Sequence, residues 1–148
     1  MMSAGEATIA RVTTRGLTVA SLYSGAGGLD CGFADAGFDV QWAVDHDPFA
    51  VETYNRNLAP VATHGDVLHA TPPPSIQPDV LIGGPPCQGF SVIGRMDPTD
   101  PRSQHVDRYL DVVAALKPRA FIMENVKALG VSPRWAPVRE RLIRRATD

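Results

Sequence analysis

The chain has 148 residues, 44% of them apolar and 20% charged, with a formal net charge of −2. That is the profile of one globular domain, and it excludes a chain that binds nucleic acid by overall positive charge, though not one with a local basic face. Cys31 and Cys87 stand far apart and outside any Cys-x-x-Cys pair, which argues against a structural metal site and against a disulfide framework, and favours reduced thiols in a cytoplasmic setting. No segment has the apolar length of a signal peptide or a membrane span, so no membrane partner is expected.

Residues 1–16 read as a flexible lead-in to a single domain over 17–148. Leu17–Leu22 is a buried strand by its length and β-branched content. It runs into Tyr23-Ser24-Gly25-Ala26-Gly27-Gly28 and then a helical stretch with apolar Leu29, Phe33, Ala36 and Phe38, closed by Gly37. A strand, a glycine-rich turn and a helix N-terminus together suit a ligand that must approach the backbone. Such turns also arise for steric reasons alone, and the spacing Gly-x-Gly-Gly is not the dinucleotide fingerprint.

Val40–Val44 reads as a second strand ending at Asp45-His46-Asp47. An acid here, about 20 residues after the glycine turn, suits a ribose diol, while either Asp45 or Asp47 suits a cap on the helix that starts at Pro48, and both roles can hold with Asp47 capping and Asp45 binding. The helix from Pro48 to about Leu58 carries Phe49, Val51, Tyr54 and Leu58 at helical spacing, so Tyr54 is expected in the core. Asp66, in Gly65-Asp66-Val67, suits either a turn or an adenine amino group. The proline-rich run 71–78 is a connector.

Asp79–Ile82 is the next buried strand, and Gly83-Gly84-Pro85-Pro86-Cys87-Gln88-Gly89-Phe90-Ser91 follows it. Glycines and prolines make a sharp, stiff turn that pins Cys87 at the strand's carboxyl end, the edge where open α/β sheets bind ligands. A lone cysteine is more often a packed residue, but this setting favours a placed nucleophile. Residues 92–103 are long for a structureless connection, as lids and binding loops are. A helix is expected over 105–116, then a strand Ala120–Met123 ending at Glu124-Asn125-Val126. Glu124, at a strand end near apolar residues, suits a carboxyl group that holds its proton, or a plain solvated strand end. A last helix over 133–146 has Arg134, Arg139, Arg141, Arg144 and Arg145 off its apolar side, a solvated face or one lying near nucleic acid. Strands alternating with helices predict an α/β fold with a mostly parallel sheet covered on both faces.

These motifs, in this order, resemble the DNA (cytosine-5)-methyltransferase family: Tyr23 to Leu29, Asp45, Gly65-Asp66-Val67, Gly84 to Ser91, Asp100-Pro101-Arg102-Ser103 and Met123-Glu124-Asn125-Val126. The resemblance covers residues 17–145 and implies a Rossmann-like, S-adenosylmethionine-dependent methyltransferase fold. It implies that Tyr23, Ser24, Gly25, Ala26, Gly27, Gly28 and Leu29 approach the methionine end of that cofactor. Asp45 would hold the ribose, His46 would flank the adenine, Asp66 and Val67 would contact the adenine, and Pro85 would line the same site. Cys87 would be the nucleophile toward C6 of cytosine and Glu124 the acid at N3. Pro86, Gln88, Ser91, Asn125 and Arg102 would bind the substrate, with the target base flipped out of DNA and 92–103 closing over it.

Two residues depart from the pattern. Ser21 stands where an acidic residue is common, and His105 where an apolar one is usual. The later Gln-x-Arg-x-Arg strand, the target-recognition domain and the closing cofactor motif are not in the sequence. The implied fold is therefore incomplete, and activity is expected to need a complementing C-terminal polypeptide or self-association. A tRNA cytosine-5 methyltransferase fragment, a non-catalytic cofactor-binding module and a generic nucleotide-binding protein remain as other readings.

Overall fold

The computed structural model describes residues 16–86 and 104–147. Cys87, Gln88, Ser91, Arg102 and the rest of the expected loop lie outside the described residues, as do residues 1–15 of the lead-in. The strands are β1 (Thr18–Leu22), β2 (Asp39–Asp45), β3 (Ala62–His64), β4 (Val80–Gly83) and β5 (Ala120–Met123). They form one parallel sheet in the order β3-β2-β1-β4-β5. The helices are α1 (Gly28–Asp35), α2 (Pro48–Asn57), α3 (Gln104–Leu116), α4 (Lys127–Val131) and α5 (Ala136–Thr147), with a 3-10 turn at Pro133–Trp135.

Strand alternation divides the core between the two faces of the sheet. Ala20 and Leu22, Trp42 and Val44, and Leu81 point to one face, where Val106, Tyr109, Leu110 and Val112 of α3 meet Trp135 and Leu142. Val19, Val80 and Ile82 point to the other, against Phe33 and Phe38. There Ala43 and Ala62 pack with Val51 and Tyr54 of α2. Burying both faces of the central strands β1 and β4 explains why these read as continuous apolar runs without polar alternation.

Three local details have direct causes in the sequence. Asp47 caps α2 by accepting from the backbone N–H of Phe49 at 2.8 Å and of Ala50 at 3.3 Å, with Pro48 in the first turn. The expected helix over 133–146 is divided, because Pro133 opens a 3-10 turn and α5 starts at Ala136, after the separate short helix α4. The arginine face of α5 is partly spent within the fold. Arg141 and Arg145 pair with Asp107 of α3, Arg145 also pairs with Asp111, and Arg139 donates to the carbonyls of Leu129 and Ser132.

The register aligns the carboxyl ends of all five strands. His64 stands beside Asp45, Val44 beside Leu22, Leu22 beside Gly83, and Gly83 beside Met123. Chain order runs outward from β1 to β2 and β3, then returns to β4 and β5. The reversal falls between β1 and β4, the switch point where open parallel sheets form a crevice.

Candidate active site at the carboxyl edge of the sheet

The turn after β1 leaves the sheet through left-handed backbone. Tyr23, Gly25 and Gly27 have φ of 56°, 54° and 91°. At Gly27 a side chain is excluded twice, by its φ and by Tyr54 and Leu58, whose side chains a Cβ would strike. The turn is tied to the next strand: Ser24 donates its N–H to the carbonyl of Val44 at 3.2 Å, and Gly25 donates its N–H to Asp45 Oδ2 at 2.7 Å.

Asp45 is buried and has structural work beyond the expected ribose contact. Its Oδ1 accepts from the N–H of Asp47 at 2.9 Å and lies 3.3 Å from His46 Nδ1. One carboxylate therefore joins the β1 and β2 turns, and each oxygen retains a further lone pair for a ligand hydroxyl. His46 itself is largely exposed. Asp66 makes the turn that its sequence context suggested, accepting from the N–H of Leu68 at 2.9 Å, and it leaves its carboxylate in solvent.

Two cavities open on this edge with Tyr23 as their common wall. The larger, about 410 Å³, is lined by Tyr23, His46, Asp66, Val67, Leu68, Pro86 and His105. The smaller, about 240 Å³, is lined by Ser21, Tyr23, Ser24, Leu29, Asp30, Gly83, Gly84 and Glu124. The Tyr23 hydroxyl lies 3.2 Å from both Nδ1 and the carbonyl oxygen of His105, and the two rings meet edge to face with centroids 5.6 Å apart. Burial pushes the Tyr23 phenol pKa up and the His105 imidazole pKa down, so both favour their neutral forms. The departure at His105 is thus a polar link between the β1 turn and the start of α3. Arg108, one turn further, donates to the carbonyls of Val67 and Ala70 and holds the wall after β3.

The ends of β4 and β5 bring Glu124 and Asn125 against residues 83–85. Glu124 donates its N–H to the carbonyl of Gly83 at 2.9 Å, and Asn125 donates its side-chain amide to the carbonyl of Pro85 at 3.0 Å. A Cβ on Gly84 would lie 3.2 Å from Glu124 Oε2. The Glu124 carboxylate therefore sits over Gly84. It is exposed, which matches the solvated strand end and not the enclosed carboxyl group, the two readings that the sequence allowed. Pro85 is buried, and Asn125 uses its amide to fasten the two strand ends together.

Sequence reasoning missed Asp30. It is 1% exposed, on the first turn of α1, and accepts from Ser21 Oγ at 3.0 Å and from the Tyr54 hydroxyl at 2.8 Å. Burial pushes its carboxyl pKa up. Tyr54 is in the core as expected, but its hydroxyl is committed to this carboxylate. The available signal was Ser21: the acid absent from the strand end is supplied across a hydrogen bond by the helix.

The arrangement fits S-adenosylmethionine. Ser24 Oγ is buried with no hydrogen-bond partner among the described residues, on the wall of the smaller cavity. A buried hydroxyl left unpaired is costly unless something bound there satisfies it. The larger cavity offers an aromatic and apolar wall with an acceptor, Asp66, at its rim, as a purine requires.

The model of the C-5 cytosine-specific DNA methylase family matches residues 17–136. The chain belongs to this family. It is 44% identical over 119 residues to the type II methyltransferase M.XorII of Xanthomonas oryzae pv. oryzae, covering 74% of this chain and 28% of M.XorII. A solved E. coli prophage-encoded protein, described as a DNA modification methyltransferase, superposes with a TM-score of 0.75 at 32% identity, covering 88% of this chain and 38% of that one. A SAM-dependent methyltransferase from Corynebacterium glutamicum shares the fold, with a TM-score of 0.57 at 17% identity over 86% of this chain and 65% of that one. The chain spans between 27% and 48% of the first curated relatives it matches. The expected Rossmann-like fold of S-adenosylmethionine-dependent methyltransferases, present in part, is the fold found. Among the described residues no helix is long and apolar enough to cross a membrane.

Proposed function

We propose that this domain carries the chemistry of methyl transfer to C5 of cytosine in DNA, and that a complementing polypeptide supplies the rest of the active enzyme. The observation that carries this reading is the pairing of β4 with β5. It sets the Glu124 carboxylate over Gly84, at the entry to the Cys87 turn and on the wall of the smaller cavity.

C5 of cytosine is too weak a nucleophile to accept a methyl group unaided. The Cys87 thiolate adds to C6, and the electron pair of the C5–C6 bond moves so that C5 becomes enamine-like. Glu124 gives or shares a proton at N3, which neutralises the charge that the addition places on the ring. The β1 and β2 turns would hold S-adenosylmethionine, which when bound would supply an electrophilic methyl group for C5. Loss of the C5 proton to a base then lets the Cys87–C6 bond break as N3 returns its proton to Glu124, which restores the aromatic ring and the thiolate.

The Pro86 carbonyl is suited to accept from the cytosine amino group. Asn125 acts by fastening the Cys87 turn to β5. Ser24 offers its unpaired hydroxyl, Asp45 its free lone pairs to the ribose, and Tyr23, Val67 and Asp66 a wall for the adenine. Gln88, Ser91 and Arg102 remain proposed substrate contacts.

The need for a partner polypeptide is supported by the open side of β5. Among the described residues β5 is an edge strand, Ile122 is 47% exposed, and an apolar trough of about 510 Å³ runs beside it between Phe121, Met123, Leu129 and Ile143. An uncovered parallel edge of this kind calls for cover.

The test mixes the chain with the C-terminal part of M.XorII, S-adenosylmethionine and an oligonucleotide carrying 5-fluorocytosine, whose C5 fluorine blocks the final elimination. A covalent DNA adduct that maps to Cys87 and disappears with Cys87→Ala is expected. Absence of the adduct, with S-adenosylmethionine binding intact, would defeat the catalytic reading. A chain that methylates DNA unaided would defeat the need for a partner, and an adduct formed only with RNA would reassign the substrate.

A further inference from the structure

Given the methyl-donor reading of the smaller cavity, we infer that Asp30 is its buried counter-charge, a specificity-determining residue that favours the cationic donor over the neutral product left after transfer. Both oxygens of Asp30 accept from hydroxyl groups, Ser21 of β1 and Tyr54 of α2. Among the described residues no lysine, arginine or histidine pairs with it. A buried carboxylate held only by neutral donors keeps an uncompensated negative charge, an arrangement costly for the fold alone.

The cavity it borders is one-sided in charge. Among the described residues, Asp30 and Glu124 lie on its wall and no basic residue does. The Ser24 hydroxyl, 9% exposed and without a partner among the described residues, lines the same wall and marks it as built for a polar occupant. Asp30 is too enclosed to touch a ligand broadly, so it acts through space, where low-dielectric walls keep its field strong. S-adenosylmethionine carries a positive sulfonium. S-adenosylhomocysteine is a neutral thioether of nearly the same shape. A fixed negative charge beside the sulfur separates the two and eases release of the product.

Asp30→Asn removes the charge and keeps the contacts. The amide oxygen accepts from Tyr54, and the amide nitrogen donates to Ser21 Oγ. Calorimetric titration of the chain with S-adenosylmethionine and, separately, S-adenosylhomocysteine reads the outcome. The variant is expected to weaken S-adenosylmethionine at least tenfold, an effect a unit charge exerts from as far as about 12 Å at an effective dielectric of about 20, and to leave S-adenosylhomocysteine within about twofold. Equal weakening of both ligands, or no change in either, would overturn the charge role. A wild-type chain that binds neither ligand would instead remove the donor-site reading. Should Asp30→Asn not fold, two double variants give the same comparison. Asp30→Ser with Ser21→Asp returns the charge from the strand, and Asp30→Ser with Ser21→Asn does not. Only the first is expected to keep the wild-type preference, and equal preferences in the two would overturn the inference.

Discussion

Gly83 and Gly84 are consecutive, and the structure separates their roles. Neither has a left-handed φ, so an alanine at either position meets only steric cost. A Cβ at Gly83 would strike the backbone carbonyl of Leu22 and lie 3.1 Å from Cε2 of Tyr109. The carbonyl belongs to the central strand and cannot rotate away, because β1 is paired on both sides. Overfilling a packed site costs about 1–3 kcal/mol, and a backbone obstacle puts Gly83→Ala toward the top of that range. At a urea slope of about 2 kcal/mol/M, the unfolding midpoint should fall by roughly 1 M with the slope unchanged. A Cβ at Gly84 meets only the tip of the exposed Glu124 side chain, which can swing aside. Gly84→Ala should therefore unfold within about 0.5 kcal/mol of wild type, while its methyl group displaces the Glu124 carboxylate and suppresses the Cys87 adduct at least tenfold. A Gly83→Ala midpoint equal to wild type would refute the close approach of Gly83 to Leu22, and a Gly84→Ala variant that still forms the adduct in full would refute the placement of Glu124 over Gly84.

Tyr109 is fully buried, and its hydroxyl lies 2.9 Å from the carbonyl of Leu81 and 3.0 Å from that of Ile122, bridging β4 and β5. Tyr109→Phe should cost about 1–2 kcal/mol in urea unfolding and speed amide exchange at the β4–β5 ladder above that at β1–β2; equal changes at the two ladders would contradict the bridging role. Asp79 accepts from the backbone N–H and hydroxyl of Thr18, and these bonds, with help from Arg119, hold its carboxyl pKa below the ordinary value. Its folded pKa is depressed, so its contribution is present above the unfolded pKa near about 4 and is lost as pH falls through the folded value. The stability gap between wild type and Asp79→Asn should close as pH drops through that window in urea melts, and a gap that persists or widens would refute the assignment.

What could be read from the sequence follows from what periodicity encodes. The strands and α2 were legible because burial on both faces leaves apolar runs, and because Asp47 and Pro48 announce a cap. The split before α5 was not, since Pro133 suits a helix start equally well and only the structure shows it opening a 3-10 turn. Asp45 and Asp66 were each assigned two roles in the sequence, and the turn hydrogen bonds are what coordinates add. Asp30 was illegible because its meaning lies in partners 9 and 24 residues away on two other elements. A pattern along one helix cannot report such a meeting.

The register also explains why so few residues suffice for the chemistry. Because β1, β4 and β5 end level with one another, the turn after β1, residues 84–86 and Glu124 leave the sheet side by side, and in the proposed reaction they act from that one edge. The hydrogen bond from Asn125 to Pro85 and the Tyr109 bridge then fix the two catalytic strand ends as one unit. Among the described residues no strand pairs with the outer edge of this unit, so loss of cover along β5 should loosen Glu124 before it loosens the turn after β1, which is anchored on the far side by Asp45. A complementing polypeptide that docks along β5 would therefore raise reactivity at Cys87 more than it raises affinity for S-adenosylmethionine. Titration of the chain with and without the C-terminal part of M.XorII, alongside adduct yield, measures both. A partner that tightened donor binding and left the adduct unchanged would place the weakness of the isolated domain at the β1 turn instead.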